Sequence, residues 1–117
     1  MDEKYRKMNN NSKIIVDALG TKIDEGVRVL VVLLNYNGMV TRQSCWGHKN
    51  HGLPYPWIDI ENKYLDDINS IISDLEIGTE PLSDWIRIYP KCKDMTNGRI
   101  VFNKLKEKLK KQMKLKS

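Results

Sequence analysis

Two short stretches, Trp57-Ile58-Asp59-Ile60-Glu61 and Trp85-Ile86-Arg87-Ile88-Tyr89, alternate with a period of two. Successive side chains of a strand point to opposite faces, so each stretch offers its isoleucines to a core and a charged, aromatic set to the other side. Met39–Ser44 reads as a third strand, short and partly polar, and Arg99–Phe102 as a candidate fourth. Gly78–Ser83 reads as a loop, Pro90 stops the strand that begins at Trp85, and Lys91–Gly98 reads as a polar turn.

Helical spacing fills the intervals. Val27, Leu30, Val31 and Leu34 recur at i, i+3, i+4 and i+7, and Val29, Val32 and Leu33 widen that stripe. The pattern predicts a largely buried helix from about Asp24, closed by Asn37-Gly38 as a left-handed cap. Ser12–Leu19 carries Ile14, Ile15, Ala18 and Leu19 at helical spacing and ends at Gly20. Asn62 is placed to cap a helix running to about Leu75, with Leu65, Ile68, Ile72 and Leu75 turned inward. From Asn103, Leu105, Leu109 and Met113 recur every four residues among lysines. Residues 1–11 read as a loose arm and 103–117 as a basic C-terminal helix. The 117 residues therefore predict a single α+β domain, a small and mostly antiparallel sheet of three or four strands with two to four helices packed on it.

Composition narrows the setting. Apolar residues make up 40% and charged residues 30%, too apolar for a disordered chain. The longest apolar run, Val29–Leu34, is far short of the roughly 20 residues a membrane span needs, and the polar N-terminus lacks the apolar core of a signal peptide. A cytoplasmic location without membrane insertion is the expectation, and Cys45 and Cys92 are expected as thiols. The formal charge of +5 is unevenly spread. From Arg99 to the C-terminus eight basic residues stand against Glu107 alone, a local +7 that leaves −2 for the rest. Lys104, Lys108 and Lys111 are thereby candidate electrostatic contacts to a polyanion, set against the alternative of a solvated helix face.

The chemistry concentrates in Ser44-Cys45-Trp46-Gly47-His48, followed by His51 and Pro54-Tyr55-Pro56-Trp57. Both histidines of the chain lie here, together with a thiol and three aromatic rings. Three readings arise. Cys45, His48 and His51 have spacing that admits zinc, with Cys92 or Asp59 as a fourth ligand. Cys45 activated by His48 is a candidate catalytic nucleophile. Alternatively, Ser44, Cys45, Trp46, Gly47, His48, Tyr55 and Trp57 form a ligand-binding surface, in which backbone amides of a glycine turn meet an anion and the rings stack on bases. Against all three stands a purely structural loop, its tryptophans packed as plugs and Cys45 a small buried hydrophobe.

The order of residues from Gly20-Thr21-Lys22-Ile23-Asp24 through Val31–Asn35, Gly38 and Thr41 to Ser44-Cys45-x-Gly47-His48 and Pro54-Tyr55-Pro56-Trp57 resembles a group of small uncharacterised bacterial and phage proteins. Trp46 stands where that box most often has Glu. The resemblance implies a phage, prophage or bacterial source, a cytosolic setting and an accessory or anti-defence role, the protein binding a host effector or its nucleotide signal. Thr41, Ser44, Cys45 and Gly47 are also similar to the strand-end box of Tyw3-type wybutosine-synthesis proteins, with His48 in place of its arginine. That similarity implies a turn lying near an RNA or nucleotide site. The leading expectation is a non-enzymatic module that recognises a nucleotide or nucleic acid. A host protein as partner is the second, and a Cys/His enzyme or zinc site the third.

Overall fold

A computed structural model describes residues 3–4, 26–48 and 52–116. Its elements are α1 (Arg28–Tyr36), β1 (Thr41–Cys45), β2 (Trp57–Glu61), a 3-10 turn (Asn62–Tyr64), α2 (Leu65–Ile72), β3 (Ile77–Leu82), β4 (Trp85–Pro90) and α3 (Met95–Lys116). The four strands form one antiparallel sheet in the order β1-β2-β4-β3. Three helices pack on its isoleucine face. Ile58, Ile60, Ile86 and Ile88 meet Leu30–Leu34 of α1, Ile68 and Ile72 of α2, and Phe102, Leu105 and Leu109 of α3 in one core. The α+β architecture is the expected one. No helix among the described residues is long and apolar enough to cross a membrane.

The end of α1 shows how sequence becomes geometry. Gly38 takes φ +86°, the left-handed region that glycine enters without steric cost. Its N–H donates to the Asn35 carbonyl at 2.9 Å, and the Met39 N–H donates to the Leu34 carbonyl at 3.0 Å. This pair of reversed bonds is a Schellman closure, and it is sealed by Met39 and Leu34, both buried. The Asn37 side chain adds a 2.7 Å bond to the Leu33 carbonyl. The chain thereby turns directly into β1.

Several expectations need correction. Gly78–Ser83 is not a loop, since residues 77–82 form strand β3 at an edge of the sheet. Gly78 and Pro81 weaken a central strand, but an edge strand is paired on one side only and tolerates proline. Arg99–Phe102 is not a strand, and helix begins well before Asn103, at Met95. The Asp94 carboxylate accepts the Asn97 N–H at 2.8 Å and starts the helix there. Gly98, which made that stretch look like a turn, faces Pro56 and Pro90 so closely that an added Cβ would lie 2.8 Å from the Pro90 ring.

The remaining corrections concern Asn62, Leu65 and the end of α2. Asn62 does not cap α2; its backbone N–H and side-chain amide instead donate to the carbonyls of Asp84 and Ser83 in the β3–β4 turn. The intervening 3-10 turn shifts the helical phase, so Tyr64 packs against the core and Leu65 is left 40% exposed. Helix α2 also ends at Ile72, short of Leu75. The expected Ser12–Leu19 helix and nearly all of the N-terminal arm lie outside the described residues.

Leu33 is fully buried at the centre of the α1 stripe. Leu33→Ala should lower unfolding free energy by about 3 kcal/mol, the usual cost of a truncated core leucine. Urea denaturation gives that number directly, and a loss below about 1 kcal/mol would contradict this packing.

Candidate functional site

The register of the sheet sorts the non-core side chains into rows. Asp59 pairs with Arg87, and Arg87 with Glu80. Irregular pairing between Thr41 and Ser44 lets Arg42 reach the same row from β1. Arg42, Asp59, Arg87 and Glu80 thus alternate in charge across all four strands. Asp59 is completely buried, and its carboxylate is held by both guanidiniums. Arg87 donates from Nε to Oδ1 at 2.7 Å and from Nη2 to Oδ2 at 3.1 Å, while Arg42 donates from Nη2 to Oδ2 at 2.8 Å. The hydrogen bond with Asp59 holds the Arg87 guanidinium above its ordinary pKa, although burial pulls the other way. Arg42 Nε is buried with no hydrogen-bond partner among the described residues.

Indoles flank this row. The Arg87 guanidinium lies 3.9 Å from the centroid of Trp57, and that of Arg42 lies 4.9 Å from the centroid of Trp85. Tyr55 and Tyr89 approach at 6.4 Å with their rings tilted by 50°, and Lys93 Nζ stands 5.7 Å over Tyr89. Trp57, Trp85, Tyr55 and Tyr89 are all half-buried. The result is a sheet face of guanidiniums set over aromatic rings, on the side away from the three helices.

The cysteine–histidine loop divides between the two sides of this sheet. Cys45 pairs directly with Trp57, which places both on the aromatic face. Trp46 turns the other way and packs against the core. Its backbone carbonyl accepts the Arg99 Nε–H at 2.9 Å, the Gly47 carbonyl accepts from Arg99 Nη2 at 3.2 Å, and the Arg99 guanidinium lies 5.2 Å from the Trp46 centroid. Gly26 abuts the indole where any Cβ would stand. Gly47, at φ +98°, is buried with a would-be Cβ only 3.0 Å from the Pro54 carbonyl oxygen. Its N–H donates to Cys45 Sγ at 3.3 Å, and the His48 N–H donates to the Leu53 carbonyl at 3.2 Å. Ser44 pairs with Ile58 and so shares the core side. Of the seven binding candidates, Cys45, Tyr55 and Trp57 belong to the aromatic face, while Ser44, Trp46 and Gly47 shape the turn. His48 leaves the turn half-buried.

Among the described residues no three His, Cys, Asp or Glu side chains are gathered to hold a metal, and His51 lies outside those residues. Both oxygens of Asp59 are taken by arginine, and Cys92 is exposed in the turn after β4. Lys108, one of the three lysine candidates, is engaged: Nζ donates to the Ile71 carbonyl at 2.5 Å and to Asp74 at 2.6 Å, tying α3 to the end of α2. Lys104 and Lys111 lie on the side of α3 opposite Phe102, Leu105 and Leu109, hence away from the sheet. The sequence signal for the Arg–Asp–Arg row was present in the alternation around Asp59 and Arg87, but Arg42 was hidden by the irregular register of β1.

Comparison of the chain with protein-family models, with curated proteins and with solved structures finds no match.

Two outcomes test this arrangement. Asp59→Asn should destabilise the protein by about 3 kcal/mol, because two partly buried guanidiniums lose their common counter-ion; a loss under about 1 kcal/mol in urea unfolding would show that the row contributes little. Asp74 is held below its ordinary 3.8 chiefly by the hydrogen bond from Lys108. That link is complete above the ordinary aspartate range and is lost as pH falls through the lowered value. In Lys108→Met the Asp74 titration midpoint, followed by NMR, should rise towards 3.8, and an unmoved midpoint would remove Lys108 as the cause.

Proposed function

We propose that the protein is a non-enzymatic binding module for single-stranded nucleic acid or a nucleotide, and that its aromatic sheet face is the binding surface. The observation that carries the reading is the pairing of two half-buried indoles with two guanidiniums on either side of the Arg42–Asp59–Arg87 row. Unstacked bases bind by stacking on aromatic rings and guanidinium planes, and a sheet holds several such planes at fixed separations. Asp59 supports this surface by holding both arginines over their indoles. Lys93, over the Tyr89 ring, would meet a phosphate.

This reading differs from a loop-centred one. Tyr55 and Trp57 contribute stacking surface, whereas Trp46 acts by holding the turn against α3. Lys104 and Lys111 of α3 face away from the sheet and add little to a short strand bound there. Carried by a phage or prophage, as the likeness of the Ser44–Trp57 box implies, such a module would work in a host cytosol as an accessory or anti-defence protein that sequesters a nucleotide signal or a single strand.

Fluorescence anisotropy with labelled single-stranded RNA and DNA tests the proposal. Trp57→Ala should weaken binding by about tenfold, the worth of one stacked base, and Lys104→Ala should change it little. With one phosphate engaged by Lys93, log K should fall with log salt at a shallow slope of about −0.7. Binding that is steeply salt-dependent and indifferent to Trp57 would overturn this assignment, as would no binding at low salt.

A further inference from the structure

Helix α3 and the turn that follows α2 line a groove of about 550 Å³ on the side of the molecule opposite the aromatic sheet face. Its floor is apolar. Leu75 packs against the core, and Ile100 is 49% exposed on a helix otherwise dominated by lysine. Its rim is cationic, with Lys104 and Lys111 seven residues apart on one side of α3, about 10 Å along the helix axis. The two acidic groups of the groove are already engaged, Asp74 with Lys108 at 2.6 Å and Glu107 with Lys110 at 3.8 Å. Lys104 and Lys111 have no ion-pair partner among the described residues, so the charge left uncompensated over this apolar floor is theirs.

We propose that this groove docks an acidic amphipathic peptide segment of a partner protein. One apolar side chain seats between Leu75 and Ile100, and carboxylates on either side of it meet Lys104 and Lys111. Charge complementarity selects an anion, and the apolar floor selects among anions. A nucleic-acid backbone gains nothing from Ile100 and finds no aromatic ring in the groove to stack on. A peptide with a leucine-like anchor buries Ile100 and satisfies both lysines. The lysine–aspartate link between α2 and α3 fixes the width of the groove, because Lys108 holds the two helix segments together through Ile71 and Asp74. The inference is independent of what binds the sheet face.

The test uses the full chain, isotopically labelled, and three probes followed by NMR. One is a synthetic acidic helical peptide with leucines on one face, the second is the same peptide with serine for leucine, and the third is a single-stranded oligonucleotide. The leucine peptide should shift the amides of Leu75, Ile100, Asn103 and Lys104, and the serine peptide should bind at least about tenfold more weakly. Ile100→Ser, an exposed change that spares the core, should weaken the leucine peptide about fivefold, and the Lys104→Gln, Lys111→Gln pair about tenfold at low salt. Equal binding of the two peptides, or displacement by the oligonucleotide from the same amides, would overturn the proposal in favour of a general polyanion surface. Concentration-dependent shifts at Ile100 without peptide would assign the groove to a second copy of the chain, and shifts elsewhere or none would dismiss it.

Discussion

The carboxylate of Asp59 is the constraint around which the sheet is arranged. A fully buried charge is tolerated only when it is paired and hydrogen-bonded, and here both oxygens are occupied by arginines from the two neighbouring strands. That requirement couples β1, β2 and β4 at one level of the sheet and holds both guanidiniums over the rings of Trp57 and Trp85. A slip of β2 by one residue would send Asp59 into the isoleucine core and Ile58 and Ile60 out, so the ion triad and the core enforce the same register. A hydrophobic residue at 59 would satisfy burial equally well but would leave the arginines unplaced.

The second organising feature is the separation of chemistries between the two sides of the sheet. On the helix side, Arg99 clamps the Trp46–Gly47 backbone and anchors the loop to α3. On the other side, Tyr55 and Trp57 extend the row of rings that continues through Tyr89 and Trp85. A stretch that reads as one cluster of reactive groups is therefore a strap, with one end serving stability and the other presenting a surface. The strap depends on glycine at 47, where the backbone passes within contact of Pro54.

Much of this was legible in the sequence, for identifiable reasons. The alternation in β2 and β4 and the stripe and Asn37-Gly38 closure of α1 state their geometry locally. Strand β3 was illegible because an edge strand obeys looser rules than a central one, and its glycine and proline imitate a loop. The first turns of α3 were illegible because Arg99–Phe102 is rich in β-branched residues, while the features that make it helical, the Asp94 cap and the proline pair against Gly98, are a cap and a tertiary contact. For the site, residues 55 and 57 could be singled out, but the division of the loop could not. Which way Trp46 turns is decided by Arg99, more than fifty residues later in the chain. The basic helix was visible as charge, yet its orientation away from the sheet follows only from which of its residues are buried.

The most direct test of the central claim, that the aromatic sheet face is where a ligand lies, is ultraviolet crosslinking of the bound single strand followed by mass-spectrometric mapping. Crosslinks at Trp57, Tyr89 or Trp85 are the predicted result. Crosslinks confined to Trp46 or to the lysines of α3 would contradict it and move recognition to the helical side of the molecule.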